Sequence, residues 1–538
     1  MNDVRARPES AALPDHATCD VLVVGGGING AGIARDLAGR GLRVLLCEQD
    51  DLAQHTSSAS TKLVHGGLRY LEYREFALVR KALAEREVLL RSAPHIMWPL
   101  RFVMPHVPAM RPAWLIRAGL FLYDHLARRE LLPASQGVDL RRHPAGAALQ
   151  PQYVRGFVYS DGWVDDARLV SLCAVDAAAR GARVLTRWRC ADARREAQGW
   201  QATLQAADGT VQQVQARALV NAAGPWAAAF LAQQAHGTRK ALRLVKGSHI
   251  VVPRLFSHDH AYLLQNEDRR IIFAIPYEED FTLIGTTDVE IEGPPGPARI
   301  EPAEVQYLCA QASRYLAQPV QPAQVVWTYS GVRPLLDDEA ADASAVTRDY
   351  LLELDGAAAP LLNVWGGKIT TFRKLAQEAA DRLAPALGCR AGAWTAGAFL
   401  PGGDLSAFIG AQALHSRDTQ ADMRAFDAAL ARRWPDLPAA VRRRWARLYG
   451  ARIALLLDDG AAVPQLGAEV AAGLYEVELE YLHRHEWARS AEDVLWRRTK
   501  LGLHHTAAER EAVRQWCERH WRPLPAASDV ARAEGAWN

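Results

Sequence analysis

No run of apolar residues in this sequence approaches the ~20 that a membrane-spanning helix requires. The nearest, WLIRAGLFLYDHL at residues 114–126, is short and is broken by Arg117 and Asp124. An excess of charge of either sign is also missing. The formal net charge is +2 over 538 residues, so no bulk field draws the molecule to nucleic acid, and any such role would have to come from a local cluster. Cysteine is scarce and scattered (Cys19, Cys47, Cys173, Cys190, Cys309, Cys389, Cys517), with no CxxC pair and no His/Cys metal spacing. A reducing compartment is therefore expected, without a disulfide framework or a bound metal. No repeat of solenoid period occurs. The first twenty residues contain no apolar stretch of the kind found in a secretory signal, and they read as a loose leader.

What is present is a soluble globular composition, 49% hydrophobic and 23% charged, in a chain long enough for two or three domains. Residues 20–48 read as strand, glycine turn, helix and strand. DVLVV is a short β-branched run suited to a buried parallel strand, and Gly41 stops the helix that follows. Residues 74–91 form a charged helix closed by Pro94. Residues 99–113 hold Pro99, Pro105, Pro108 and Pro112 and are expected to be irregular or at a sheet edge. The α/β pattern resumes from 157 to 226, residues 244–330 are rich in strands, and 361–384 repeat strand, glycine turn and helix. Beyond residue 400 helical patterns dominate, with capping-box spacings at Ser490/Asp493 and Thr506/Glu509. The pairs His483/His485 and His504/His505 lack a carboxylate framework and read as solvated helix faces. VRRRWAR at 441–447 is a single cationic cluster, too little for a nucleic-acid surface.

Gly25-Gly26-Gly27-Ile28-Asn29-Gly30 contains the spacing GxGxxG. Its first glycine permits the tight turn, its second a close approach by pyrophosphate, and its third helix–strand packing. The helix start offers N–H groups to phosphate. Glu48 ends the next strand where a carboxylate accepts a ribose hydroxyl. Two further strand–glycine elements recur far downstream, at Ala223-Gly224-Pro225 and Gly366-Gly367-Lys368. A cofactor long enough to meet distant segments explains them, and FAD fits better than a compact NAD site.

STKLVHGGLRYLE at 60–72 concentrates Lys62, His65, Arg69 and Tyr70 around Gly66-Gly67. A solvated loop would be more polar and a core element would hold fewer cations. The run is suited to an anion held close to the backbone.

VVGGGINGAGIARDLAGRGLRVLLCE, TSSASTKLVHGGLRYLE, YSDGWVDDARLV, LVKGSHIVVP, LIGTTD, VWTYSGVRPL and WGGKITTFRKLA follow in order between residues 20 and 375. Together they resemble the FAD-dependent, respiratory glycerol-3-phosphate dehydrogenases, in the D-amino-acid-oxidase-like flavoprotein group. The resemblance implies an α/β fold: an FAD-binding Rossmann-like domain with an inserted α+β substrate domain, plus an all-α C-terminal domain. The expected divisions are FAD-binding parts at 18–95, 157–240 and 331–390, a substrate- or membrane-facing segment at 96–156, substrate-domain strands at 241–330, and a helical domain at 400–530.

It further implies oxidation of sn-glycerol 3-phosphate to dihydroxyacetone phosphate, with electrons passing to a membrane quinone. Arg69, Tyr70, Arg333 and Lys368 are then expected to line the substrate site. His249 is the candidate base, with Arg333 beside it and His65 behind it. Gly25, Gly27, Asn29, Gly30, Glu48, Ser57, Ser58, Ser60, Lys62, His65, Gly66, Gly67, Gly224, Gly366 and Gly367 are expected around the cofactor. Because the acceptor of such enzymes dissolves in lipid, residues 101–129, with large apolar side chains among Arg101, Arg111, Arg117, Arg128 and Arg129, are expected to touch a membrane surface. The enzyme would lie at the cytoplasmic side of the cell membrane, attached peripherally, and a homodimer is compatible with it. Two alternatives stay open: an oxidase passing electrons to oxygen, and a flavin enzyme for another small anionic hydroxy or amino acid.

Overall fold

The structure is a computed structural model that describes residues 16–107, 111–233, 242–268, 270–336, 349–457 and 465–521. Strand His16–Val24 lies between Val211–Asn221 and Val44–Glu48 and is parallel to both, and Val44–Glu48 pairs in turn with Arg183–Thr186. Leu361–Trp365 runs parallel to Val211–Asn221 on its far side. Alternate residues serve opposite faces. Val21 and Val23 pack with helices Ile28–Gly39, Asp166–Ala179 and Phe372–Leu383, whereas Leu22 and Val24 pack with the antiparallel meander 188–206. Both faces are covered, which is why these strands read as unbroken apolar runs.

A second sheet takes its strands from three parts of the chain. Leu242–Pro253 is its longest, paired with Phe281–Gly285 and, over ten residues, with Trp327–Leu336. Met97–Pro105 and Arg155–Val164 pair along their length, and residues 102–103 also pair with 261–262. Residues 97–105 are thus an internal strand, where irregular or edge structure was expected. Pro99 and Pro105 flank the doubly bonded positions, so neither ring removes a bond there. The sheets also divide the chain differently from the composition. Leu63–Val64, 157–164 and 331–336 belong to the second sheet, although they adjoin motifs of the first.

The C-terminal region packs helices Thr419–Arg433, Ala439–Tyr449, Glu476–Glu486 and Ala507–His520 around Phe426, Trp445 and Tyr449. It is not purely helical, because Glu469–Ala471 and Leu474–Tyr475 form a hairpin. Both capping boxes form: Ser490 exchanges bonds with Asp493, and Thr506 with Glu509. The histidines depart from expectation. His505 is buried and bonds to Ala472 O at 2.9 Å, and His483 stacks on Trp521 at 4.6 Å. In 441–447, Trp445 is wholly buried and Arg444 pairs with Glu478 at 2.6 Å, so that stretch is internal structure.

The interface with the rest of the chain is charged. Arg168 and Glu486, both fully buried, form an ion pair, and Asp51 pairs with Arg498 at 2.7 Å. Buried ions need such partners, since one left alone costs several kcal/mol.

Candidate active site

The register of the parallel strands sets the site. Val24 lies opposite Asn221 and Cys47, and Asn221 opposite Asn363. The turns after these strands (25–27, 223–224 and 366–367) therefore emerge side by side at the carboxyl edge, where open α/β sheets bind ligands. Gly25 has φ +106° and an added Cβ would stand 2.5 Å from Ala222 O. A Cβ on Gly30 would stand 1.9 Å from Gly25 O, so this glycine is what lets the helix close on the turn. Gly27 is different. Its φ of −73° suits any residue, and within 4 Å an added Cβ would meet only Ser57 Oγ, at 3.1 Å.

Gly27 is also the N-cap of Ile28–Gly39 and supplies no side-chain cap, which leaves helix-start donors directed at the turn. Ser57 Oγ accepts from Ile28 N at 3.0 Å. Glu48 is buried, with Oε2 accepting from Gly26 N at 2.6 Å and Oε1 from Asp50 N at 3.0 Å, and burial raises its pKa. Asn29 Nδ2 donates to Gly366 O at 3.0 Å, tying two glycine turns together, while its buried Oδ1 has no partner. A carboxylate near the turn, a glycine N-cap whose only close neighbour is the Ser57 hydroxyl, and an orphaned amide oxygen fit a dinucleotide with its pyrophosphate at Gly27.

The segment 56–72 runs from this turn into a cavity of about 300 Å³ between the two sheets. Its wall includes Arg69, Tyr70, His249, Arg333 and Lys368, and also His65, Gly67, Gly366 and Gly367. Gly67 has φ +75° and starts the turn Leu68–Leu71 that carries Arg69 and Tyr70. Lys368 Nζ lies 3.8 Å from the Tyr70 ring centroid, a cation–π contact between distant segments. Arg333 forms an ion pair with Asp288 and donates to Thr286 Oγ1 at 3.0 Å. His249 Nε2 is 3.0 Å from Thr61 Oγ1, its ring stacks on Tyr329 at 4.7 Å, and its buried Nδ1 has no partner. Burial first, then the charges of Arg333 and Lys62, hold its pKa well below the ordinary 6.5, so the imidazole is neutral and has a free lone pair at neutral pH.

Four expected residues have other partners. Lys62 is engaged within the protein: its buried Nζ binds Asp166 at 2.7 Å and Ser58 O at 3.1 Å. Gly66 keeps no backbone donor for a ligand, because its N–H bonds to Tyr123 Oη at 2.8 Å. Of the three serines, Ser57 stands at the helix start, whereas Ser58 Oγ bonds to His55 O and Ser60 Oγ to Asp166 at 2.7 Å. Thr61, Asp161, Thr286 and Asp288 also line the cavity and were not singled out. Their signal lay in the quoted runs STKLVHGG, YSDGW and IGTTD, but only the fold shows which of those polar atoms face inward.

The fold and site define a flavin-type dinucleotide oxidoreductase. The chain belongs to the FAD dependent oxidoreductase family, whose model matches residues 20–373. A second model, for the C-terminal domain of alpha-glycerophosphate oxidase, matches residues 393–520. The chain is 51% identical to a glycerol-3-phosphate dehydrogenase of Pseudomonas aeruginosa, covering 96% of this chain and 97% of that protein. It is 49% identical to the aerobic glycerol-3-phosphate dehydrogenase of Escherichia coli, covering 93% and 97%. It is likewise 50% identical to a D-erythritol 1-phosphate dehydrogenase of Brucella abortus, covering 94% and 98%. Among solved structures, the glycerol-3-phosphate dehydrogenase of Bacillus halodurans complexed with FAD matches with a TM-score of 0.73 at 25% identity, covering 96% of this chain and 93% of that one.

The space beside Gly27 yields a prediction. Gly27→Val should fold, since the backbone admits it, and should purify without the flavin absorbance, because the side chain takes the pyrophosphate's place. A stoichiometrically yellow Gly27→Val protein would refute this placement.

Proposed function

We propose that the protein oxidises sn-glycerol 3-phosphate to dihydroxyacetone phosphate and delivers the electrons to a membrane quinone. The observation that carries the substrate reading is the cavity itself, where Arg69, Arg333 and Lys368 from three segments surround a space beside the glycine turns. A phosphate in such a pocket needs several charge-assisted hydrogen bonds, and a guanidinium can give two in one plane. FAD, when bound, accepts the hydride released from the carbinol carbon. His249 Nε2 takes the hydroxyl proton, directly or through Thr61 Oγ1 beside it. Thr286 and Asp288 hold the guanidinium of Arg333 in place. A four-carbon polyol phosphate is the second reading, favoured by the Brucella relative, which differs in what it is named for and not in overall similarity.

The acceptor side rests on the outer surface. Among the described residues no helix is long and apolar enough to cross a membrane. Helix Ala113–His125 exposes Trp114 (71%) and Phe121 (58%), and Leu115 and Leu122 are exposed with them. Tyr73 is exposed as well and also lines the cavity. Leu120 points the other way and is fully buried, correcting its expected place at a bilayer. Several of the segment's arginines hold internal partners: Arg101 bonds to Ser160 Oγ at 2.7 Å, Arg117 to Ser135 Oγ at 2.8 Å and Arg129 to Asp124 at 2.7 Å. The apolar side chains, more than the cations, then make the membrane contact.

Anaerobic addition of glycerol 3-phosphate should bleach the flavin, and erythritol phosphate tested in parallel ranks the two readings. Arg69→Leu or Arg333→Leu should lower kcat/KM about ten- to a hundred-fold, from loss of roughly 1.5–3 kcal/mol of charge-assisted hydrogen bonding. Flavin content should stay unchanged, and glycerol turnover should be nearly indifferent. Equal losses with glycerol would show that these arginines serve the flavin or the fold.

The neutral His249 sets the pH dependence. A base with a lowered pKa is lost only when pH falls through that lowered value. With a dye acceptor, kcat/KM corrected for ionisation of the substrate phosphate should therefore stay level from pH 8 to below 6.5. A decline centred at 6.5 would exclude His249 as the base.

Changing Trp114 and Phe121 together to Ser should release the enzyme from lipid vesicles and slow quinone reduction, with dye reduction intact. Undiminished vesicle binding would place the membrane contact elsewhere.

A further inference from the structure

The FAD-side segment is gripped by the C-terminal domain. Asp51 lies three residues after Glu48 and is fully buried. Its two oxygens accept from Arg498 Nη1 at 2.7 Å and Nη2 at 2.8 Å, and Oδ2 also accepts from Arg497 Nε at 2.6 Å. Both arginines belong to the C-terminal domain. Arg187 adds a second tie at the same place, with its backbone N–H on Asp50 O at 2.9 Å and its side chain on Asp493 at 2.7 Å.

From this anchor, hydrogen bonds run directly to the groups that fit the cofactor. Asp50 N donates to Glu48 Oε1, and Asp50 Oδ2 holds His55 at 2.7 Å. Two residues on, Ser57 Oγ sits on the start of the glycine-turn helix. The far end of the segment is tied in the same way. Lys500 of the C-terminal domain binds Asp165 at 3.2 Å, and the adjacent Asp166 holds Lys62 and Ser60.

We propose that the C-terminal domain acts as a clamp on residues 48–62, with Asp51, Arg497 and Arg498 as positioning residues for FAD. None of the three is placed to touch the flavin. They hold the chain that presents Glu48 and Ser57, and a buried carboxylate with bidentate and monodentate guanidinium partners allows it little freedom. Without the clamp the segment relaxes, and cofactor binding must then supply the ordering it previously had for free.

The full-length holoenzyme tests this by flavin fluorescence recovered on release, which gives the FAD Kd without any assay of turnover. Asp51→Asn and Arg497→Met should each raise Kd about ten-fold or more, the scale of one charge-assisted hydrogen bond. Arg497→Lys, which keeps the charge and loses the planar guanidinium, should fall between Arg497→Met and wild type. Arg447→Met is the control. Arg447 reaches Pro94 O at 3.4 Å and the Trp98 ring at 4.7 Å, so it crosses the same domain boundary without touching residues 48–62. It should lower the melting temperature and leave Kd within about two-fold. The clamp is overturned if Kd is unchanged in Arg497→Met, or if Arg447→Met raises it as much. Should Asp51→Asn fail to fold, the Arg497 pair and the control decide alone.

Discussion

The hydrogen-bond register of the parallel sheet is the constraint on which the site depends. Residue 24 is locked opposite 221 and 47, and 221 opposite 363. Strands separated by nearly two hundred residues therefore end on one line. Three glycine turns, each unremarkable by itself, become adjoining walls of one crevice. A one-residue slip would turn every inward side chain outward and lose both apolar cores, so packing on the two faces enforces the alignment. The bond from Asn29 to Gly366 O then fastens two of the turns directly.

The second theme is the handling of buried charge. Lys62 with Asp166, Arg86 with Asp161, and Arg168 with Glu486 are each nearly or wholly closed to solvent. Each joins segments far apart in the chain, so these pairs act as fixed ties between layers. Asp161 also accepts from Tyr123 Oη at 2.7 Å, linking the cavity wall to the inner side of helix Ala113–His125. The helix thus presents apolar side chains outward and a hydrogen-bonded tyrosine inward, next to Gly66. The cations at the cavity wall, Arg69, Arg333 and Lys368, sit instead against aromatic rings, a hydroxyl or a half-exposed carboxylate.

The two sheets meet at the cavity and contribute different chemistry. The parallel sheet brings helix-start donors and a carboxylate suited to a dinucleotide. The second sheet brings His249 and Arg333 on neighbouring strands, with Thr286 and Asp288 after a third. The two sets of groups thus sit on separate scaffolds, with the segment 56–72 crossing between them. The C-terminal domain pairs with residues on either side of that segment, Arg498 with Asp51 and Lys500 with Asp165.

Local chemistry was legible in the residues. GxGxxG between a β-branched run and a helix, Glu48 at the end of the next strand, and the cation-rich run at 60–72 each stand out locally, because backbone space, dipole and charge are short-range requirements. The α/β alternation and the later helical texture were legible for the same reason, since periodicity records burial. What only the tertiary structure decided was the direction and partnership of polar side chains. Lys62 and Arg333 are both cations in promising motifs, yet one is consumed by Asp166 and the other faces the cavity. Leu120 and Phe121 are adjacent and apolar, yet one is core and the other surface. Strand 97–105 was concealed by its prolines, which are harmless where only one neighbour bonds. The charged boundary of the C-terminal domain was equally hidden, since Asp51 and Arg498 are more than four hundred residues apart. A carboxylate's partner is fixed by distance in space, and no spacing along the chain encodes that.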